Sequence, residues 1–561
     1  MKIAAMQCIK KLATVVSILS FLLVVKATEA AESPIILSQN ILQEKLKDPN
    51  YWSNLCYLQQ QAGQYEAALA ACEQAISLKT RNPLYWADHA GVLLKLKKYP
   101  EAIVSADRAL QFDKKTSLAL SYKCMALNAL NRNEDALDIC NQALKVDGNW
   151  GKESPRLAWV HRGVILTQQD EYAQAMIAFD RSLLLEPKDS LTLAYKCYLF
   201  NKIEQHEQAI ASCNQALAGN GNWGDKSQTF ALANRAMAYT KINEFTVAIA
   251  DYDKLLTLDA NDYQAWAGQG LVLQKLNRYA EARTSYERSV AINPKYSLAQ
   301  VGRCAMLNRS KQYEEAVKAC DAAIAGDGMW HDFGAAQAWN ERGVGLIGAG
   351  KYEDGLASVN RAVGMRTDYA EAWSNRSVAL WHLQQYPEAM ASTEKAIALN
   401  AGFAPAWFNR GRIWSKQQQY RNALIAYSKS LAIQPNNYEG WANYSVVLWH
   451  LQQYPAALAS TDRAIALNMN AYEGWYNRGL VLTSMARHQD ALKAYNRAIK
   501  INPQSAEAMT GKGLVLAKMQ RYPQAIAALQ VALKLNPNQS LAKATLKVVM
   551  QEQGKEKGSQ E

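Results

Sequence analysis

Eight of the nine cysteines fall into four pairs with one spacing: Cys56 with Cys72, Cys124 with Cys140, Cys197 with Cys213, and Cys304 with Cys320, each sixteen residues apart. Only Cys8 stands outside the pattern. Thiols held at a fixed spacing can bind a metal, exchange electrons or cross-link. A pair supplies two sulfurs where a structural zinc site takes four ligands, and no histidine keeps a fixed spacing to any pair, so a metal centre is not expected. No Cys-x-x-Cys occurs, which argues against a redox catalyst. Two readings stay open: buried thiols packing as small hydrophobes, or four disulfides. Other reactive constellations are missing from the sequence. It contains no G-x-x-x-x-G-K-[ST], no G-x-S-x-G and no H-E-x-x-H, so neither an enzyme nor a cofactor is expected.

The elements that carry the cysteines follow from composition. The chain has 561 residues, 49% of them hydrophobic and 20% charged, and is sparse in proline and glycine, which favours helices over strands and over disorder. The net charge of +12 is spread along the chain and mixed with acidic residues, so no basic stripe marks a nucleic-acid site. The first thirty residues differ. Lys2, Lys10 and Lys11 precede an apolar run over residues 12–25, followed by the small-residue exit Ala27-Thr28-Glu29-Ala30-Ala31. That order is a secretory signal, and the run is short for a membrane span, although an uncleaved anchor is the rival. The protein is therefore expected to be exported, to a bacterial periplasm or envelope or beyond, with membrane association through residues 12–25 as the alternative.

Internal repetition dominates the remainder of the chain. WFNRGRIWSKQQQYRNALIAYSKSLAIQP (407–435) and WYNRGLVLTSMARHQDALKAYNRAIKINP (475–503) share Trp, Gly, Ala, Tyr and Pro at matching offsets. This resembles the tetratricopeptide repeat, a 34-residue helix–turn–helix unit. Repeats start at residues 49, 83, 117, 156, 190, 229, 263, 297, 336, 370, 404, 438, 472 and 506. The resemblance implies an all-α helix-hairpin solenoid, a right-handed superhelix, in which each hairpin buries its apolar face on the next. The expected layout is a signal or anchor over 1–30, an N-terminal helix over 31–48, fourteen repeats over 49–539, and a capping helix with a flexible tail over 540–561. Tryptophan at repeat position 4, as in Trp52, Trp86, Trp159, Trp266, Trp339, Trp373, Trp407, Trp441 and Trp475, reads as core.

In repeat coordinates the cysteines occupy position 8 of helix A and position 24 of helix B. Elsewhere these two positions pair small with large, as in Gly163 with Phe179, Gly270 with Tyr286, Gly411 with Tyr427 and Gly479 with Tyr495. In two repeats they are Ser377 with Thr393 and Ser445 with Thr461. The two positions change together, as side chains in contact do. No repeat has one cysteine without the other, and the export signal implies an oxidising compartment, so disulfides locking A to B are expected. Three of the cysteine repeats end in longer loops, GNWGKESP (148–155), GNWGDKSQ (221–228) and GMWHDFGA (328–335). Their Trp150, Trp223 and Trp330 read as loop anchors, with a row of binding knobs as the alternative.

The resemblance also implies where a partner would bind, because in this family the A helices line a concave groove. Asparagine recurs at position 6 in Asn375, Asn409, Asn443 and Asn477, and such amides can pair with an extended backbone. The row is similar to the asparagine ladder of O-linked N-acetylglucosamine transferases, without their catalytic region. Beside it stand Trp381, His382, Phe408, Arg412, Trp449, His450 and Tyr476. Arg412 and Lys416 come nearest to the family's carboxylate clamp, but position 5 is not basic in these repeats. The function expected is a scaffold that takes a protein or peptide segment in the groove of repeats 10–13. Rivals are an envelope polysaccharide or peptidoglycan binder using the aromatic loops, and a membrane-anchored assembly factor.

Overall fold

The computed structural model describes residues 44–224, 226–330 and 334–558. The expected signal, its apolar run and the expected N-terminal helix up to residue 43 lie outside these residues, as do parts of the second and third long loops. Every regular element among the described residues is a helix. The chain divides into two units, residues 1–260 and 261–561. Helices A and B alternate from Pro49 to Leu535, and each pair packs as a hairpin.

Local chemistry fixes the register of each hairpin. Asp48, Asn82, Asp189, Asp262, Asn437 and Ser505 cap A helices by accepting from a first-turn N–H. Between A and B, repeat position 15 is left-handed in every repeat, from Gly63 and Lys97 through Gln452, Ala486 and Gln520. Only Gly63 and Gly350 relieve that conformation with glycine, so in the other repeats packing holds a residue where an L side chain is disfavoured. Of the position-4 tryptophans Trp407 is buried, and the others are half-buried, several of them packed against the core clusters. The indole N–H of Trp52, Trp86, Trp373, Trp407, Trp441 and Trp475 donates to the carbonyl six residues earlier, at 2.7–3.0 Å. Each ring thus covers the turn that enters its repeat while its polar edge is satisfied.

The joint between A and B is the pair at positions 8 and 24, and all eight of its cysteines are buried. The sulfurs of Cys56 and Cys72 stand 2.07 Å apart, and those of Cys124 and Cys140 2.09 Å apart. Those of Cys197 and Cys213 are separated by 2.14 Å, and those of Cys304 and Cys320 by 2.13 Å. Each pair is at bonding distance within a single hairpin, with its Cα atoms 5.3–5.4 Å apart. Where glycine is at position 8, the facing ring fills its place: a Cβ on Gly479 would come within 2.6 Å of Tyr495, and one on Gly270 within 2.9 Å of Tyr286.

In several repeats position 6 of the following repeat packs on the joint. Gly302 and Gly511 press on the same Tyr286 and Tyr495 rings, and Tyr195 stacks on Phe179 at 6.3 Å. Where the joint is Ser with Thr, the next repeat brings Asn409 or Asn477, and after the cysteine pairs it brings Asp88, His161, Asn234 or Glu341. Glu341 accepts from Asn308 Nδ2 at 2.9 Å, and Asp88 accepts from Ser53 Oγ at 3.4 Å.

The three long loops share one anchoring scheme. Ser117, Ser190 and Ser297 are fully buried at position 1 of the repeats that end in these loops. Each hydroxyl donates to a carbonyl of its own helix B, Ala143, Ala216 or Ala323, at 2.9 Å. Each also accepts a loop N–H, from Gly148, Gly221 or Gly328, at 3.0–3.1 Å. Trp150, Trp223 and Trp330 are half-buried against the adjacent cores, and Trp223 also lines a cavity. The terminal helix runs from Ser540 to Gly558, into the stretch where a flexible tail was expected, because Gln, Glu and Lys continue a helix readily. Its Ala542 and Val549 are buried against the last hairpin.

Crowding at Gly302 gives a signed stability test. Gly302→Ala drives a methyl into the Tyr286 ring and is expected to cost about 1–3 kcal/mol in urea unfolding. Gly364→Ala, in a helix with open space around the site, is expected to stabilise by up to about 1 kcal/mol. Burial and the like charge of Glu371 push the Glu341 carboxyl up to about 7. A carboxyl raised in the folded state stabilises most when protonated, so its contribution is present below the unfolded value of 4.5 and lost as pH rises to about 7. Glu341→Gln is therefore expected to raise the melting temperature at pH 8 by roughly 2 °C, with the difference closing by about pH 4.5.

Candidate functional site

The inner face of repeats 10–13 is formed by helices Ala370–His382, Ala404–Lys416, Tyr438–His450 and Tyr472–Ser484. Its asparagines do not form one open ladder. Asn409 is buried and donates to the carbonyl and hydroxyl of Ser374 and to Ser377 Oγ at 3.0–3.3 Å. Asn477 is buried and donates to the Ala442 carbonyl at 3.0 Å and the Ser445 hydroxyl at 3.5 Å. Both point back across the seam, where the preceding helix A offers acceptors that need a donor. Asn375 is half-buried and donates to Asn340 Oδ1 at 2.9 Å. Asn443, also half-buried, donates to the Glu439 carbonyl of its own helix.

The aromatic residues form an ordered ledge. His382 lies flat on Tyr352 with centroids 4.3 Å apart, and His450 lies flat on Tyr420 at 4.1 Å. Each imidazole meets the adjacent indole edge-on, Trp381 or Trp449, at 4.8 Å. The Arg412 guanidinium sits 3.9 Å from the Trp381 ring centre and 6.0 Å from that of Phe408. Tyr476 stacks on Tyr472 at 5.6 Å. Trp449 Nε1 donates to Ser484 Oγ at 2.8 Å, whereas the buried Trp381 Nε1 has no partner. The residue equivalent to Ser484 is Lys416, which cannot accept. Partial burial lowers the pKa of both histidines, helped at His382 by the Arg412 charge, so both imidazoles are neutral at pH 7. His450 is exposed, and Trp381, His382, Phe408, Arg412, Trp449 and Tyr476 are half-buried.

A second concavity lies in the unit of residues 1–260, away from the groove residues singled out in the sequence but lined by Trp223 and two of the long loops. It measures about 1260 Å³ and is lined by the inner helices of the first repeats together with the loops at 148–155 and 221–224. Both loops are tied to the opposite wall. Lys152 Nζ donates to Asn54 Oδ1 at 2.9 Å and lies 4.4 Å from the Tyr57 ring centre, and Lys95 Nζ donates to the Gly224 carbonyl at 2.7 Å. At its wall the buried Arg156 pairs with Glu186 at 3.0 Å and Asp189 at 2.9 Å. Burial pushes the carboxyls of Glu153 and Asp88 up, Asp88 to about 7. The loop insertions were visible in the sequence, but not that they cross to residues 98 and 129 positions away. The recurrent Ser-Leu at 117–118, 190–191 and 297–298, shared by the long-loop repeats, was the signal for their anchoring.

Among the described residues no group of His, Cys, Asp and Glu could hold a metal ion, and no helix is long and apolar enough to cross a membrane. Tetratricopeptide-repeat profiles match residues 49–82, 157–189, 233–297, 269–329, 340–405, 404–437, 472–505 and 506–539. The profile of the protein prenyltransferase alpha subunit repeat matches residues 454–485. Among solved structures, the APC/C hetero-tetramer Cut9–Hcn1 is similar over 89% of this chain and 96% of that one, at 16% identity and a TM-score of 0.46. YrrB, described as a TPR protein with an unusual peptide-binding site, is similar over 34% of this chain and 99% of that one, at 23% identity and a TM-score of 0.30. The repeat profiles, which fall on the helical hairpins themselves, place the chain in the tetratricopeptide repeat family.

Proposed function

We propose that the protein is a non-enzymatic scaffold that receives a peptide or protein segment on the inner face of repeats 10–13, outside the reducing cytoplasm. The observation that carries this reading is the ledge of neutral imidazoles, indoles and one guanidinium. Its rings are held by their neighbours before any partner arrives, so little side-chain entropy is lost on binding. Arginine and aromatic side chains are the usual anchors of protein interfaces. The half-buried Asn375 and Asn443 flank the ledge and offer amide hydrogen bonds, whereas Asn409 and Asn477 hold the repeats together.

Two experiments test this. Partner capture by the oxidised protein, followed by quantitative mass spectrometry, is expected to fall at least tenfold in the double variant His450→Ala with Tyr476→Ala and in Arg412→Ala, with the melting temperature little changed. Asn409→Ala and Asn477→Ala are expected instead to lower stability by about 1–3 kcal/mol, because each leaves buried acceptors without a donor. Capture unaffected by the first set would remove the ledge from the function. The exported location is supported by the sulfur pairing. Thiol titration of unfolded, alkylation-quenched native material is expected to find the eight repeat cysteines blocked, and reduction to cost about 3 kcal/mol per pair.

A further inference from the structure

We infer that the cavity in the unit of residues 1–260 is a second binding site, and that its ligand is a short, uncharged oligosaccharide. Its volume of about 1260 Å³ exceeds the roughly 300–1,000 Å³ of drug-sized sites, which points to an oligomer rather than a single small molecule. The lining is more polar than apolar and combines two kinds of group. Half-buried tyrosines, Tyr65, Tyr99 and Tyr198, present ring surface with a hydroxyl at its edge. Amides, Gln60, Asn128 and Gln168, offer donors and acceptors beside them. Pyranose rings need that combination, since their C–H faces lie on aromatic rings while their hydroxyls both donate and accept.

Charge and closure separate this ligand from the alternatives. The cations at the wall are engaged within the protein: Arg156 with three carboxylates, Lys152 with Asn54, Lys95 with the Gly224 carbonyl, and Lys226 over the Phe230 and Tyr195 rings at 5.6 and 6.0 Å. An anionic polymer would have to displace those partners. A polypeptide running the length of the groove would meet the loop at 148–155, which Lys152 ties to the first repeat. The loop's Trp150 is anchored in a core and Ser117 holds its base, so the site is built before a ligand enters. This site is independent of the ledge in repeats 10–13.

The test is calorimetric titration of the oxidised full chain with cellotetraose, maltotetraose and chitotetraose, and with a capped (Ser-Gln)4 octapeptide as the polypeptide probe. Saturable binding of at least one tetrasaccharide is expected, weakened at least tenfold by Tyr99→Ala and Tyr198→Ala. Tyr198→Phe keeps the ring and is expected to retain binding within threefold, and melting curves of all variants report whether each is folded. His450→Ala is expected to leave the titration unchanged. Three results would overturn the assignment: no tetrasaccharide binds, binding ignores both alanine variants in folded protein, or the octapeptide alone binds with the tyrosine dependence.

Discussion

In several repeats position 6 of helix A presses onto the pair that joins helices A and B of the repeat before it, and those seams close on that three-residue contact. The contact is met in several chemistries: a tyrosine held between two glycines, as Tyr286 is by Gly270 and Gly302, or an asparagine bonded to serine, as Asn409 is to Ser374 and Ser377. A third version places a polar residue over a sulfur pair, as Glu341 stands beyond Cys304 and Cys320 through Asn308. What these versions share is close packing, because a void at a fully buried joint is costly. A helical hairpin has no core of its own, so this contact does in the array what a central core does in a globular domain.

Much of this was legible in the sequence, for a reason that also sets its limit. Positions 8 and 24 lie sixteen residues apart within one hairpin, and their joint variation shows directly that they touch. Position 6 of the next repeat lies more than thirty residues from position 8, and its variation reads as ordinary family scatter until the seam is seen. The same gap explains the asparagines. Exposure was expected from the general direction of position 6, but Asn409 and Asn477 turn to acceptors on the preceding helix that only the Ser and Thr joints provide. The cavity was least legible of all, because it depends on how far the inner face curves before the loops meet the opposite wall. Curvature accumulates from small rotations that no single residue encodes.

The two surfaces use aromatic side chains differently. In repeats 10–13 the rings lean on one another and on Arg412, giving a continuous, preformed ledge. In the first unit the rings surround a space: Tyr195 and Tyr198 lie against Phe230 at its wall, Trp150 packs on a neighbouring core, and Trp223 both packs on a core and lines the space. The charges are engaged in another place again, at the seams between repeats. Lys123 pairs with Asp107 and Lys196 with Asp180 at 2.7 Å, and Arg342 pairs with Asp321 at 2.7 Å, each across one seam. Such partly exposed pairs contribute little stability, but they interleave the excess of cations with acids instead of leaving a stripe.

The joint rule also governs how such an array can grow or shrink over generations. Loss of residues 404–471 would bring Asn477 over Ser374, Ser377 and Thr393, a combination the chain already uses with Asn409. Loss of residues 472–505 would instead set Gly511 over Ser445 and Thr461, leaving a hole where a tyrosine ring now sits. Lineages that change length should therefore do so in blocks whose ends carry matching joints. The near-copies at 378–400 and 446–468, two repeats apart, have the form of one such event.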